Sequence, residues 1–263
     1  MASRKEQKEA ARAQRLAEEQ ARSERERMVR RLQLVAGVVI AALAVVGVAV
    51  AVSIGGAAPA GLIQNSQDQK LVIAATESAL TGIPQLGTRL GNPRAPVTMT
   101  YYGDLECPVC KAFTLQGGFP QLLSTEIRHG KVQVDYRAFK TASPDPTTFQ
   151  TQQVAALAAG KQNHFWDYIE LFYHQQGPEG TGYVTETYLQ GLAKQVPGLN
   201  FSAWQSARND PTLVSQVQSD QAAGATAGVQ GTPTLIMHGP RGTRALVVVP
   251  DYPQLQQAIK AVA

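Results

Sequence analysis

The alternation of apolar and polar positions predicts strands at several places in the C-terminal two thirds of the chain. The run Val97–Tyr102 is apolar and β-branched, which is typical of a strand. Residues 131–140 alternate over most of their length, with Val132, Val134 and Tyr136 on one face and Gln133, Asp135 and Arg137 on the other, and this predicts a half-buried strand. Two further β-type runs, 234–238 and 243–249, flank a Gly-Pro-Arg-Gly turn and predict a hairpin.

Between the second strand and the hairpin, helical spacing replaces alternation. The spacing predicts one helix containing Val154–Phe172 and further helical patterns over 186–195 and 201–223, which are interrupted at Pro197-Gly198 and at Pro211. Asp251 stands where it can cap a last helix. Strands on both sides of a helical block at about 148–225 predict an α/β domain with an inserted helical subdomain.

The longest apolar run lies near the N-terminus. Residues 34–54 carry no charge, and as a helix they would span roughly 30 Å, the thickness of a bilayer's hydrocarbon core. The run is longer than the apolar part of a signal peptide, so we predict one transmembrane helix at 32–54 in contact with the lipid bilayer. Small residues at 58–60 leave later cleavage near Ala60 open.

Charge gives the orientation of this anchor and narrows the function classes. The chain has 24 Lys and Arg against 20 Asp and Glu, and the whole surplus lies in residues 1–31. The positive-inside rule therefore predicts a cytoplasmic tail at 1–31, a single pass through the plasma membrane and an extracytoplasmic C-terminal domain. Because the rest of the chain is formally neutral, a nucleic-acid partner is not expected. The tail is either simply solvated or in contact with anionic lipid through its arginines.

Residues 55–87 are predicted to be a linker, with the folded domain at 88–263. The Gly- and Ala-rich start is typical of a flexible tether. Residues 66–90 leave two interpretations open: a short amphipathic helix ending near Gly82, or a loosely packed spacer.

Both cysteines of the chain occur in one motif, Cys107-Pro108-Val109-Cys110, directly after the strand Val97–Tyr102 and at a predicted helix start. A proline suits the first turn of a helix. A sulfur at a helix N-terminus is stabilised as thiolate, so we expect Cys107 to be the exposed nucleophile. Cys110, one turn further and more buried, would resolve the mixed disulfide. A structural disulfide and half of a zinc site are the alternatives, but structural zinc needs four ligands and the four histidines show no ligand-like spacing, so we predict no metal.

The motif Gly103-Asp104-Leu105-Glu106-Cys107-Pro108-Val109-Cys110, followed 123 residues after Cys110 by Pro233 in Gly231-Thr232-Pro233-Thr234, resembles the thioredoxin fold and, through the helical block, its DsbA-like branch. The resemblance covers about 88–263. It implies a cis Thr232–Pro233 bond beside the active site and a Thr232 backbone that pairs with a bound substrate strand. It further implies a thiol–disulfide oxidoreductase whose redox group is the Cys107–Cys110 disulfide, with no other cofactor.

The sequence departs from the pattern of this family at two places. Tyr101 occupies a position that is acidic in many relatives, and Pro108-Val109 replaces the Pro-His or Gly-Pro of well-known members. Asp104 and Glu106 are therefore candidates for proton transfer, or else solvated loop acids. The leading hypothesis is an oxidase that forms disulfides in exported proteins and is reoxidised by a membrane partner. The alternatives are a reductase or isomerase, or a tethered binding module with a structural disulfide.

Overall fold

A six-stranded mixed sheet is the centre of the computed structural model, which describes residues 61–247 and 249–263. The strands are β1 (Gln85–Leu86), β2 (Arg89–Leu90), β3 (Val97–Gly103), β4 (Val132–Ala138), β5 (Thr234–Gly239) and β6 (Gly242–Val247). Their order is β1-β2-β4-β3-β5-β6, with β3 and β4 parallel and the other pairs antiparallel. The predicted hairpin is confirmed as β5 and β6, and β3 lies in the middle of the sheet.

Nine α-helices accompany the sheet within the described residues. They are α1 (Ser66–Leu80), α2 (Pro108–Leu115), α3 (Phe119–Leu122), α4 (Pro146–Gly160), α5 (Phe165–His174), α6 (Glu186–Gln195), α7 (Phe201–Ala207), α8 (Pro211–Thr226) and α9 (Tyr252–Val262). A π-helical turn, Leu123–Ile127, continues α3. Helices α4 to α8 form the helical insert, and α9 packs on the hairpin strands β5 and β6. Asp251 caps α9 in a capping box with Gln254, as the sequence predicts.

Strand β4 differs from the half-buried strand that its alternation predicts. Gln133 and Asp135 are each only 8% exposed although they lie on the polar face. Helix α8 packs against this strand, and Asp135 accepts hydrogen bonds from Thr88 (2.7 Å) and Arg137 (3.1 Å). The polar face is therefore covered and paired rather than solvated, because polar partners satisfy the buried carboxylate.

The helix predicted around Val154–Phe172 is two helices, α4 and α5. The chain turns between them at Asn163, whose φ of 62° lies in the left-handed region that asparagine tolerates better than most residues. The helical pattern over 201–223 is divided into α7 and α8 at Pro211, the proline that interrupts it in the sequence, and Asp210 caps the new helix. The break at Asn163 has no such signal, so periodicity alone did not reveal it.

The linker prediction for 55–87 is wrong over residues 61–87. Asn65 caps α1 by accepting from Gln67 N–H at 2.8 Å, and the helix ends at Leu80, just before Gly82. Leu80 and Ile83 are buried in the core, which offsets the entropy of ordering this segment. The helical interpretation that the sequence left open is the observed one.

Helix α2 is joined to the sheet by aromatic rings. Tyr101 on β3 packs edge-on against Phe113 of α2 with ring centroids 5.4 Å apart, and against Tyr136 of β4 at 5.3 Å. Phe119 stacks on Trp166 of the helical insert at 5.5 Å. These rings are almost completely buried, so the start of α2 rests on a rigid base.

No helix among residues 61–247 and 249–263 is long and apolar enough to cross a membrane. The predicted tail at 1–31 and the predicted anchor at 32–54 both lie outside the described residues.

Candidate active site

Cys107 is the N-cap residue of α2, and Pro108 occupies the first turn, as the sequence predicts. The backbone of Cys107 is extended (φ −71°, ψ 117°), and its Sγ accepts a hydrogen bond from the N–H of Cys110 at 3.4 Å. A sulfur in this position faces the unpaired N–H groups and the positive end of the helix dipole. The strand–turn–helix sequence thus places the sulfur where a thiolate is stabilised.

Cys107 is less accessible than the sequence analysis expects. It is 5% exposed and Cys110 is completely buried, and both are free thiols. The loop at Thr232 lies against Cys107, whose Sγ donates to the Thr232 carbonyl oxygen at 3.3 Å. The prediction of an exposed nucleophile is therefore corrected: both cysteines are buried, and only Cys107 keeps any exposed surface.

The two thiols have opposite pKa shifts. A hydrogen bond from the Cys110 thiol lowers the pKa of Cys107 to about 7, against the opposing effect of burial. The side chain of Thr232 and the backbone N–H groups of Cys110 and Val109 lower it further. Burial raises the pKa of Cys110 well above its usual value. Near neutral pH the pair is therefore arranged as one partly ionised thiolate beside one protonated thiol.

The Thr232–Pro233 peptide bond is cis, as the resemblance implies. The Thr232 hydroxyl is hydrogen-bonded to that of Thr141, so this loop is held to the segment that follows β4. Pro233 and Thr232, together with Val109, line an apolar cavity of about 510 Å³, and Val109 is 40% exposed at its edge. The structure thus brings Cys107, Val109, Thr232 and Pro233 together.

Asp104 is completely buried and accepts five hydrogen bonds. Oδ2 accepts from the backbone N–H groups of Thr141 (2.9 Å), Ala142 (2.8 Å) and Ser143 (2.9 Å). Oδ1 accepts from the Ser143 hydroxyl (2.6 Å) and the Glu106 N–H (3.1 Å). Asp104 therefore joins the loop before the cysteines to the loop after β4, and neither oxygen is left for another partner.

Glu106 is also completely buried, but its carboxyl is poorly satisfied. Oε2 is 3.4 Å from Gln152 Nε2, and Oε1 has no partner among the described residues. Burial raises the pKa of Glu106 to about 7, with Asp104 adding to the shift while Ser143 and Gln152 oppose it. Neither Asp104 nor Glu106 is a solvated loop acid, which was the alternative interpretation of both.

Tyr101, which stands where many members of the thioredoxin-fold family have an acidic residue, lies next to Cys110. Its hydroxyl lies 3.5 Å from the Cys110 carbonyl oxygen and 3.1 Å from the Thr114 hydroxyl. Burial raises its pKa well above 10, and the nearby Cys110 adds to the shift. The base of the site is therefore an uncharged phenol with no capacity to take a proton near neutral pH.

Sequence reasoning missed three polar residues that support the site: Ser143, Gln152 and Gln176. Gln152 donates to both Ser143 and Glu106, and Gln176 Nε2 donates to the carbonyl oxygens of Leu105 and Cys107. Asp145, which caps α4, would have signalled a helix here, but nothing in the spacing of Gln152 or Gln176 distinguishes them from surface glutamines. No group of three or more His, Cys, Asp or Glu residues that could hold a metal occurs in the described part of the chain.

The fold and the site define a class: a thioredoxin-fold thiol–disulfide oxidoreductase with a helical insert. The sequence model of the thioredoxin family matches residues 85–261, and the chain belongs to this family. This membership favours a thiol–disulfide oxidoreductase over the alternative of a tethered binding module with a structural disulfide.

Curated relatives have names that agree with this chemistry. The chain is 25% identical over 189 residues to the "Disulfide bond formation protein D" of Bacillus subtilis, covering 69% of this chain and 80% of that protein. It is 25% identical over 171 residues to the "Probable disulfide bond formation protein D" of Bacillus anthracis, covering 65% of this chain and 75% of that protein.

The fold itself is shared with a solved structure. The crystal structure of oxidised BdbD from Bacillus subtilis superposes with a TM-score of 0.58 at 24% identity, over 69% of this chain and 96% of that one. This likeness concerns the fold and supports a DsbA-like arrangement of sheet and helical insert.

Proposed function

We propose that the protein is an extracytoplasmic oxidase that forms disulfides in exported proteins through Cys107 and Cys110. The observation that carries the proposal is the contrast between the two cysteines at the start of α2: Cys107 is slightly exposed and has a lowered pKa, whereas Cys110 is completely buried and has a raised one. Its relatives are named disulfide bond formation proteins, which supports this direction of electron flow. Disulfides persist outside the cytoplasm, where the predicted anchor at 32–54 would hold the domain.

The chemistry is two successive thiol–disulfide exchanges. A substrate thiolate attacks Cys107 Sγ of the Cys107–Cys110 disulfide, and Cys110 leaves and takes up a proton. A second substrate thiolate then attacks the substrate sulfur of the mixed disulfide and releases Cys107 as thiolate. The substrate loses two electrons and the enzyme gains them. The lowered pKa of Cys107 makes it the better leaving group in this last step.

The loop at Thr232 and Pro233 supplies the substrate site. Backbone groups next to the cis bond lie beside Cys107, because Cys107 Sγ reaches the Thr232 carbonyl at 3.3 Å. An extended substrate segment that pairs with Thr232 would place its cysteine at this sulfur. The apolar cavity that Val109 and Pro233 line would receive a neighbouring substrate side chain.

Turnover needs an electron acceptor, since each cycle leaves two thiols on the enzyme. A membrane redox partner that removes two electrons from Cys107 and Cys110 fits the predicted anchor at 32–54, which would hold the domain near the membrane.

The predicted orientation is tested by fusing to the C-terminus a reporter enzyme that is active only outside the cytoplasm. Activity of the same reporter after residue 31 instead of after residue 263 would contradict the predicted topology.

For proton transfer during exchange, we propose Glu106 and not Asp104. Asp104 already accepts five hydrogen bonds, whereas Glu106 has an unpaired Oε1 and a pKa of about 7. Glu106→Gln should remove an ionisation near pH 7 from the pH dependence of the exchange rate. An unchanged profile would exclude this role for Glu106.

Oxidative refolding of a reduced protein with two cysteines tests the leading proposal. Cys107→Ser and Cys110→Ser should each abolish catalysis, because neither variant can form the Cys107–Cys110 disulfide that oxidises the substrate. Incubated instead with a substrate that already has a disulfide, Cys110→Ser should accumulate a mixed disulfide, because Cys107 attacks one substrate sulfur, the other leaves as a thiol, and no Cys110 thiol resolves the product. Normal refolding activity of Cys107→Ser would end the proposal.

A reductase or isomerase on the same site is the second candidate, and one observation favours it. The pKa of about 7 at Cys107 matches the roughly 7 of thioredoxin and lies well above the roughly 3.5 of DsbA. A less stabilised thiolate gives a less oxidising disulfide. A reduction potential near the roughly −270 mV of thioredoxin would favour the reductase, and one near the roughly −120 mV of DsbA the oxidase.

A further inference from the structure

Two adjacent glutamines at the C-terminal end of α5 have different targets. Gln175 Oε1 accepts from the backbone N–H of Ile63 at 3.0 Å, and Gln175 Nε2 donates to Gln195 Oε1 at 2.8 Å. Gln176 Nε2 donates instead to the carbonyl oxygens of Leu105 (2.7 Å) and Cys107 (3.1 Å). One amide therefore ties structural segments together, while its neighbour binds the backbone of the nucleophile.

The bond to Cys107 completes the anchoring of the N-cap residue. The Cys107 carbonyl oxygen already accepts from the Lys111 N–H at 3.1 Å, the first hydrogen bond of α2. Gln176 provides a second donor to the same oxygen, and its bond to Leu105 fixes the residue two positions earlier. With the backbone held on both sides, Cys107 Sγ stays within reach of the Cys110 N–H and the Thr232 loop.

The same contact acts electrostatically. The carbonyl oxygens of Leu105 and Cys107 are the negative ends of backbone dipoles close to the sulfur, and they disfavour a negative charge there. The Gln176 amide places partly positive hydrogens on these two oxygens and offsets their effect. Gln176 comes from the helical insert, so the insert contributes directly to the electrostatics of the thiol.

We propose that Gln176 is a positioning residue for the exchange reaction, which holds the Cys107 backbone and stabilises the Cys107 thiolate through the Leu105 and Cys107 carbonyls. This inference rests on the proposed role of Cys107 as the nucleophile. Through Gln176, the helical insert then helps to set the pKa and the reactivity of Cys107.

The test is the pH dependence of Cys107 alkylation in the complete reduced protein carrying Gln176→Met, which removes the donor but keeps the side-chain length. The measured pKa of Cys107 should rise by about half a unit to one unit, the effect of losing about one hydrogen bond. The reduction potential should move in the reducing direction, because the reduced form loses thiolate stabilisation. Gln176→Ala removes the same donor without an added side chain and serves if the methionine variant does not fold.

Gln175→Met is the matched control. It removes a buried amide one residue away, so it should lower the unfolding free energy while leaving the pKa of Cys107 unchanged. An unchanged pKa in both Gln176 variants, or an equal rise in Gln175→Met, would overturn the inference. Cys107→Ser distinguishes failure of the proposed function from failure of the role of Gln176. If Cys107→Ser retains full activity, the proposed function fails. If Cys107→Ser is inactive but the pKa of Cys107 is unchanged in Gln176→Met, only the role of Gln176 is refuted.

Discussion

At the scale of single residues, the groups of this site differ mainly in how many hydrogen-bond partners they have. Cys107 has a donor in Cys110, an acceptor in Thr232 and little exposure, whereas Asp104 has every lone pair occupied. Spacing in the sequence predicted that Cys107 and Cys110 would meet, and the resemblance to the thioredoxin fold implied the approach of Thr232 and Pro233. It could not predict that Asp104 would be an anchor, because its partners Thr141, Ala142 and Ser143 meet it only in the folded chain.

The reduced protein should show one reactive thiol with a midpoint near pH 7. Because the pKa of Cys107 falls from about 9 to about 7 on folding, its thiolate stabilises the reduced fold fully above pH 9, and this stabilisation is lost as the pH drops through 7. Alkylation of Cys107 followed against pH measures the midpoint. Cys110→Ala removes the Cys110 thiol, whose hydrogen bond is the largest cause of the lowered Cys107 pKa, and should raise the midpoint by about one unit. A midpoint that stays near 7 in that variant would contradict this account.

Asp104→Asn should destabilise the protein by about 3 kcal/mol, because an amide NH₂ would replace one acceptor oxygen opposite several N–H and O–H donors. Denaturant unfolding measures the change. Asp145→Asn is the control: Asp145 is an exposed N-cap that accepts from Thr147 and Thr148, and asparagine caps helices about as well. Equal losses in the two variants would refute the anchoring role of Asp104.

At the scale of elements, α1 shows best where sequence reasoning fell short. Its apolar positions are few and scattered, and only Thr76 and Leu80 are buried, so the pattern did not distinguish a packed helix from a spacer. What holds the helix is a long-range contact: Arg128 donates to the carbonyl oxygens of Thr81 (2.6 Å) and Ala79 (2.7 Å) at its C-terminal end. By contrast, β3, the hairpin and α9 were predictable, because alternation, turn residues and a capping aspartate are local signals.

Arg128→Met should loosen the C-terminal end of α1 and lower the unfolding free energy by about 1 kcal/mol, since it removes two charge-assisted hydrogen bonds at an exposed site. Amide hydrogen exchange in α1 should accelerate several-fold while exchange in β3 stays unchanged. Arg94→Met is the control, because the Arg94 guanidinium makes no hydrogen bond to any residue that the structure describes. Faster exchange in β3 as well would show that the effect is global.

At the scale of the whole molecule, the domain carries buried acids that oppose folding at high pH. Burial raises the pKa of Glu170 to about 8 and that of Asp220 to about 6, each with help from a nearby acid, Asp167 and Asp135 respectively. An acid whose folded pKa is raised stabilises the fold below its unfolded pKa and loses that contribution as the pH rises through the folded value. For Glu170 the window runs from about pH 4.5 to about pH 8.

Glu170→Gln should therefore stabilise the protein relative to the natural sequence more at pH 9 than at pH 4. The difference between the two pH values should be on the order of 5 kcal/mol, because ionising a buried carboxyl is what the substitution avoids. Denaturant unfolding at both pH values measures it. Glu77→Gln on exposed α1 is the control and should give no such difference. Parallel pH profiles for the natural protein and Glu170→Gln would contradict this prediction.

The distance along the chain between Cys107 and Thr232 has a consequence for synthesis. The sulfur and the carbonyl that it contacts are 125 residues apart, with the whole helical insert between them, and Gln176 lies within that insert. A chain emerging from the ribosome therefore carries Cys107, Cys110 and the N–H groups at the start of α2 long before the loop that contacts the sulfur. The hydrogen bonds from Cys110 are local, whereas the contact with Thr232 has to wait until nearly the whole domain has been synthesised. The two cysteines are thus made early, and the site around them is completed last.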